Sequence, residues 1–157
     1  MELVQKADSW KKPGFYAMKP FRLCESNLTK LERRLLENNS RGLVDDFMDT
    51  LRYALVSTIN LKGAQITQII LCGGILRDTT NLSDPFSLDI ELLIILQSES
   101  YSLAEMTFEL ADYIYGEILD KKRILFFCTI LSNTEWKRMK NFENNEYLIL
   151  VEGESVL

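Results

Sequence analysis

The sequence predicts an α/β (α+β) domain, a mixed β-sheet flanked by helices. Two observations carry this. Apolar, β-branched runs of strand length occur at 66–72, 88–96 and 124–131. The stretches between them place apolar residues every three or four positions, the period of a helix with one buried face. Strands alternating with helices build a layered sheet. The 157 residues are the length of one domain and long enough to bury a core.

In chain order, residues 1–26 carry Pro13 and Pro20 among the aromatics Trp10, Phe15, Tyr16 and Phe21. They read as an extended arm with a short strand, held to the body by its rings. A short helix is expected over 28–38, capped by Ser26 or Asn27 and ended by Asn38-Asn39-Ser40. The next helix begins at Leu43 and keeps Leu43, Phe47, Leu51, Leu55 and Ile59 on one stripe. Asp45, Asp46 and Asp49 fall on its solvated side, and Lys62-Gly63 stops it.

Ile66 to Cys72 then forms a strand that ends at Gly73-Gly74, followed by a loop of turn residues from Asp78 to Pro85. A second strand spans 88–96. Ser102 is placed to cap a long helix over 103–119, with Leu103, Met106, Leu110, Ile114 and Ile118 inward. Lys121-Lys122-Arg123 supplies a basic helix end. A third strand covers 124–131. A short helix capped by Asn133 or Thr134 runs to about residue 140, with Trp136 and Met139 as an apolar anchor or a partner-facing patch. Tyr147 to Val151 is the last strand.

Composition narrows the chemistry. There is no histidine, so Ser-His-Asp and Cys-His nucleophile systems, imidazole acid/base work and His-ligated zinc are excluded. Cys24, Cys72 and Cys128 form neither a CxxC pair nor a disulfide framework, which points to a reducing, cytoplasmic setting. Cys72 and Cys128 read as small core residues. No run has the length of a membrane span, and the N-terminal stretch lacks the apolar core of a secretory signal.

The net charge of -5 is unevenly spread. Residues 1–41 carry nine basic against five acidic side chains, +4, which leaves -9 on the remainder. Overall acidity argues against a non-specific nucleic-acid binder. The chain accordingly divides into a basic arm with a short helix, 1–40, and a main domain, 41–157.

Asp89 and Glu91 interrupt an otherwise apolar strand. Spaced by two, they share one face of it. Burying two like charges is costly without compensation, so that face either opens to solvent or meets a cation. Side-by-side carboxylates on a rigid strand suit Mg²⁺, which takes one or two carboxylates together with substrate phosphates. Gly73-Gly74 lets the backbone turn sharply and lets a ligand approach the amides. No Gly-Lys-Ser/Thr follows, so the turn is not a Walker-type phosphate loop.

In this order, Leu71-Cys72-Gly73-Gly74 followed by Asp89-Ile90-Glu91-Leu92 resembles the signature of the DNA polymerase beta-like nucleotidyltransferase superfamily. The outline of residues 43–151 is similar to that of its small, stand-alone members, the minimal nucleotidyltransferases. The resemblance implies that Gly73, Gly74 and Arg77 bind the triphosphate of an NTP. It implies that Asp89 and Glu91 bind Mg²⁺ for transfer of a nucleotidyl group to a protein or small-molecule acceptor. Such catalysis is positioning and electrostatics and needs no histidine.

Fourteen residues, 75–88, separate Gly74 from Asp89, slightly more than is usual in the family. Ile75 stands where small members usually carry a basic residue, and Asp78 where they often carry glycine. Active members also draw a third carboxylate from the neighbouring strand. The matching run, Arg123 to Leu131, has no acid; Asp120 and Glu135 flank it. The alternative reading is therefore an inactive nucleotidyltransferase-fold module that acts through a partner protein.

Overall fold

The structure, a computed structural model of the chain, describes residues 21–77, 80–97, 103–142 and 146–153. Its strands are β1 (Phe21–Leu23), β2 (Ile66–Cys72), β3 (Ile90–Leu96), β4 (Phe126–Ser132) and β5 (Leu148–Gly153). Its α-helices are α1 (Glu25–Leu36), α2 (Arg41–Lys62), α3 (Leu103–Leu110), α4 (Gly116–Lys122) and α5 (Asn133–Phe142). A π-helical turn, Ala111–Tyr115, joins α3 to α4.

The strands make one mixed sheet in the order β1-β5-β2-β3-β4. β3 and β4 run parallel, and every other pair is antiparallel. The parallel pair needs a crossover, which the rod from α3 to α4 supplies. The fold is thus the α+β architecture that the alternating patterns predict.

Side-chain alternation on β3 divides the molecule. Ile90, Leu92, Ile94 and Leu96 enter the main core with Leu28, Leu31 and Leu35 of α1 and Phe47, Leu51 and Leu55 of α2. Met106, Leu110, Ile114 and Ile118 close that core from the crossover rod. Leu93 and Ile95 point the other way and meet Ile70, Leu131 and Trp136 in a smaller cluster under α5. One face of the sheet therefore carries four helical segments, and the opposite face carries α5.

Several helix ends differ from expectation for local reasons. α1 begins at Glu25, with Ser26 and Asn27 inside its first turn rather than capping it. The Asn27 amide instead donates to the Ile149 carbonyl of β5 at 2.7 Å, tying helix to sheet. Asn39 does end α1, donating to the Leu35 carbonyl at 2.8 Å. It also donates to the Thr80 carbonyl and accepts from the Leu82 amide.

Ser40 caps α2, accepting from the Leu43 amide. Leu43 itself lies outside the buried stripe, because Val44 takes the inward position one residue later. Asp45, Asp46 and Asp49 are exposed, as expected. α5 is capped by Ser132 rather than by Asn133 or Thr134. The Ser132 Oγ accepts from the Glu135 amide and Glu135 Oε1 accepts from the Ser132 amide, both at 3.1 Å. This reciprocal pair is a capping box. The expected cap Ser102 lies outside the described residues.

The division at residue 40 does not coincide with a break in packing. β1 pairs with β5, and α1 buries its leucines in the same core as α2. Residues 21–40 are therefore an integral part of the body, while 1–20 lie outside the described residues. The prolines that signal an arm, Pro13 and Pro20, lie before Phe21, whereas five of the nine basic residues (Arg22, Lys30, Arg33, Arg34 and Arg41) belong to the body.

Two outcomes follow. Leu31→Ala removes a fully buried side chain from α1 and should cost about 2–5 kcal/mol in urea unfolding. Leu43→Ala, at a 40% exposed position, should cost about 0.5 kcal/mol or less. The second concerns acid stability. Arg52 of α2 donates to both Glu25 oxygens, at 2.8 and 3.0 Å, and holds that carboxyl below its ordinary value of 4.5. A carboxyl whose folded pKa is lowered stabilises the fold above its unfolded pKa and loses that contribution as pH falls through the folded one. Arg52→Met should lower stability at pH 7, and its gap to the wild type should narrow below about pH 4.5.

Candidate functional site

The Gly73-Gly74 turn wraps the start of β3. Gly73 has φ of +103°, a left-handed conformation that L side chains rarely adopt. A Cβ there would lie 2.7 Å from the Asp89 carbonyl oxygen, and one on Gly74 would lie 3.2 Å from the Asp89 Cβ. The Ile75 amide donates to the Asp89 carbonyl and the Gly74 amide to Asp89 Oδ2, each at 2.9 Å. Both glycines are thus accounted for by the close approach of Asp89. The Gly74 amide, expected to meet phosphate, is engaged by the aspartate.

Asp89 is exposed just before β3, and Glu91 is half-buried within it. Glu91 stands between Cys72 of β2 and Phe127 of β4 in the ladder. Its Oε1 accepts from the Thr129 hydroxyl at 2.8 Å. Asp89 Oδ1 and Glu91 Oε2 carry no hydrogen-bond partner among the described residues.

Both acids line a cavity of about 570 Å³ together with Gly73, Gly74 and Arg77. All five residues singled out from the sequence therefore meet in one place. Leu93, Trp136, Met139 and Tyr147 supply its apolar wall, and Lys140 and Glu146 complete the charged one. Trp136 meets the Tyr147 ring edge-on at 5.0 Å, so the anchoring role predicted for it holds.

The cations in and beside the cavity fall into two kinds, Arg77 and Lys140 lining it and Arg34 behind its wall. Arg77 and Lys140 are exposed and form no ion pair among the described residues. Arg34, from α1, is paired: it donates to Glu146 at 2.8 and 3.3 Å and to the Leu76 carbonyl at 2.8 Å. The guanidinium holds the Glu146 carboxyl below its ordinary value.

Among the described residues no third carboxylate joins Asp89 and Glu91 in a metal-binding group. On the cavity side of β4 stand Phe127, Thr129 and Leu131, and Thr129 is the residue that touches Glu91. Neither flanking acid substitutes. Asp120 sits in α4, and Glu135 is occupied in capping α5. Among the described residues no three acidic or cysteine side chains converge as a metal-binding group. The two carboxylates do fit one hard cation of the Mg²⁺ type, since each keeps a free oxygen and such an ion completes its shell with phosphates and water.

Lys140, Tyr147, Glu146 and Arg34 escaped sequence reasoning. Leu148 pairs with Leu71 across β2 and β5, which delivers Glu146 and Tyr147 to the same end of the sheet as the glycine turn. Strand order decides this, and no local pattern carries it. Lys121 and Lys122 remain at their helix end, paired with Glu117 and Asp46. Arg123 lies over the Phe86 ring. Cys128 packs on the main-core side, where burial and then the Glu91 charge push its thiol up to about 12. Cys72 lines the cavity.

Compared with known proteins, the chain matches no family model, no curated protein and no solved structure.

Gly73→Ala should destabilise the fold by about 1–3 kcal/mol, the cost of forcing a side chain into a left-handed, crowded position. Urea unfolding measures this, and a neutral result would contradict the role given to the Asp89 contact.

Proposed function

We propose that this cavity binds a nucleoside triphosphate with Mg²⁺, and that the protein is a metal-dependent nucleotidyltransferase. It would move a nucleotidyl group to a protein or small-molecule acceptor, an acceptor oxygen bonding to the α-phosphorus as the bond to the β-phosphate breaks and pyrophosphate leaves. The observation that carries the reading is the meeting of both charges in one cavity. The acids Asp89 and Glu91 line it together with the cations Arg77 and Lys140, which have no acidic partners among the described residues. A ligand carrying both a cation and several negative phosphates matches that combination.

In this reading Asp89 and Glu91 would hold the metal. Bound there, Mg²⁺ would neutralise charge on the phosphate under attack. Arg77 and Lys140 orient the remaining phosphates and offset their charge. The apolar wall of Leu93, Met139 and Tyr147 gives the nucleoside a dry surface. The three cysteines are free thiols, in keeping with a reducing, cytoplasmic setting.

One observation favours a second reading. The strand beside Glu91 offers it the Thr129 hydroxyl and no third acid that could help activate an acceptor. A protein that binds nucleotide without transferring it, and signals through a partner, fits that substitution.

Isothermal titration with each NTP and Mg²⁺ tests the shared part. Saturable binding should require the metal, and Asp89→Ala/Glu91→Ala should weaken it by at least about tenfold. Absence of binding by the wild type, or binding indifferent to the double substitution, overturns it. Transfer of label from an NTP carrying it on the α-phosphate then separates enzyme from binding module.

A further inference from the structure

The ion pair between Arg34 and Glu146 belongs to neither of the roles above, yet Glu146 lines the cavity and Arg34 stands directly behind it, bonded to two lining residues, Leu76 and Glu146. We infer that Arg34 is an additional phosphate-binding residue, and that Glu146 occupies it as an internal anion which the terminal phosphates of the ligand displace. The inference rests on the nucleotide reading of the same cavity and specifies how its phosphate end is built.

Three observations support it. First, the Arg34 guanidinium is fixed independently of Glu146, because its Nη1 also donates to the Leu76 carbonyl at 2.8 Å. Leu76 closes the short helix that follows the glycine turn. The cation is therefore aimed at the turn whether or not the carboxylate is present. Second, the pair is a forked one, both guanidinium nitrogens meeting the two carboxylate oxygens. This planar geometry is the one in which arginine also binds phosphate.

Third, the two partners differ in how firmly they are held. The Arg34 side chain is 25% exposed and that of Glu146 is 62% exposed. Arg34 is the only described residue that bonds the Glu146 side chain. An ion pair with so open a member contributes little to stability, so exchange of the carboxylate for a more highly charged phosphate is inexpensive. Glu146, Leu76, Arg77 and Lys140 all line the cavity. Displacing Glu146 would align Arg34 with those two unpaired cations.

The consequence is an inversion that a supporting role would not give. Removing an acid from a cavity wall ordinarily loosens that wall. Here, neutralising Glu146 should remove the anion that competes for the Arg34 guanidinium and strengthen anion binding.

The test is isothermal titration of the full chain with inorganic triphosphate, without added metal and then with Mg²⁺-NTP. Glu146→Gln should bind triphosphate roughly tenfold more tightly than the wild type, the order of one charge-assisted forked contact. Arg34→Gln should bind it roughly tenfold more weakly, and Arg34→Lys should fall between. In the Arg34→Gln background, Glu146→Gln should no longer improve affinity. Should Arg34→Gln not fold, the Glu146→Gln and Arg34→Lys results decide alone.

Unchanged or weaker binding by Glu146→Gln overturns the inference. If that occurs while Mg²⁺-NTP binding still depends on Asp89 and Glu91, the proposed function stands without it. A gain in triphosphate affinity with no metal-dependent NTP binding would leave the anion receptor and remove the transferase.

Discussion

The close contact between the Gly73-Gly74 turn and Asp89 is the constraint on which the site depends. Two main-chain amides of the turn and its short helix, those of Gly74 and Ile75, are directed at Asp89 at 2.9 Å. They fix the exit of β2 against the entry of β3. With that register set, Cys72 stands opposite Glu91 and the acidic pair faces the side of the sheet covered by α5. A one-residue slip would turn both carboxylates into the main core, where nothing could compensate them. The glycines are needed first for this approach, and any ligand that meets the turn does so at a geometry Asp89 has already fixed.

The rest of the cavity is charge placed by topology. The acids come from β3 and the residue before it, one cation without an ion pair among the described residues from the chain just past the glycine turn and another from α5. The paired Arg34 comes from α1. These elements are far apart in sequence and converge because β5 inserts between β1 and β2. Its approach carries Glu146 and Tyr147 to the end of the sheet where the turn lies. Each charged group retains solvent contact, so the arrangement avoids the cost of burying ions in the fold.

How much of this was legible follows the range of each signal. The stretch from Ile66 to Cys72 and the crossover helix were readable because periodicity is local. The pair Asp89 and Glu91 was readable because two acids break an apolar strand. Gly73 and Gly74 were readable as a sharp turn, though their partner, Asp89, was not. Caps were less certain: Ser26 and Asn27 are good cap residues, but Asn27 finds a better acceptor on β5. Lys140 and Arg34 gave no signal at all, since a cation on an amphipathic helix looks the same whether it faces a cavity or bulk water.

The integration of residues 21–40 bears directly on the nature of the site. A detachable arm could leave the cavity unchanged, but α1 cannot. Its leucines belong to the main core, and its Arg34 spans from Leu76 to Glu146, joining the wall at the glycine turn to the wall leading into β5. Loosening α1 would therefore disturb core packing and the geometry of the cavity wall together. Through Arg34 this segment thus holds together two residues that line the cavity, Leu76 just after the glycine turn and Glu146 far along the chain.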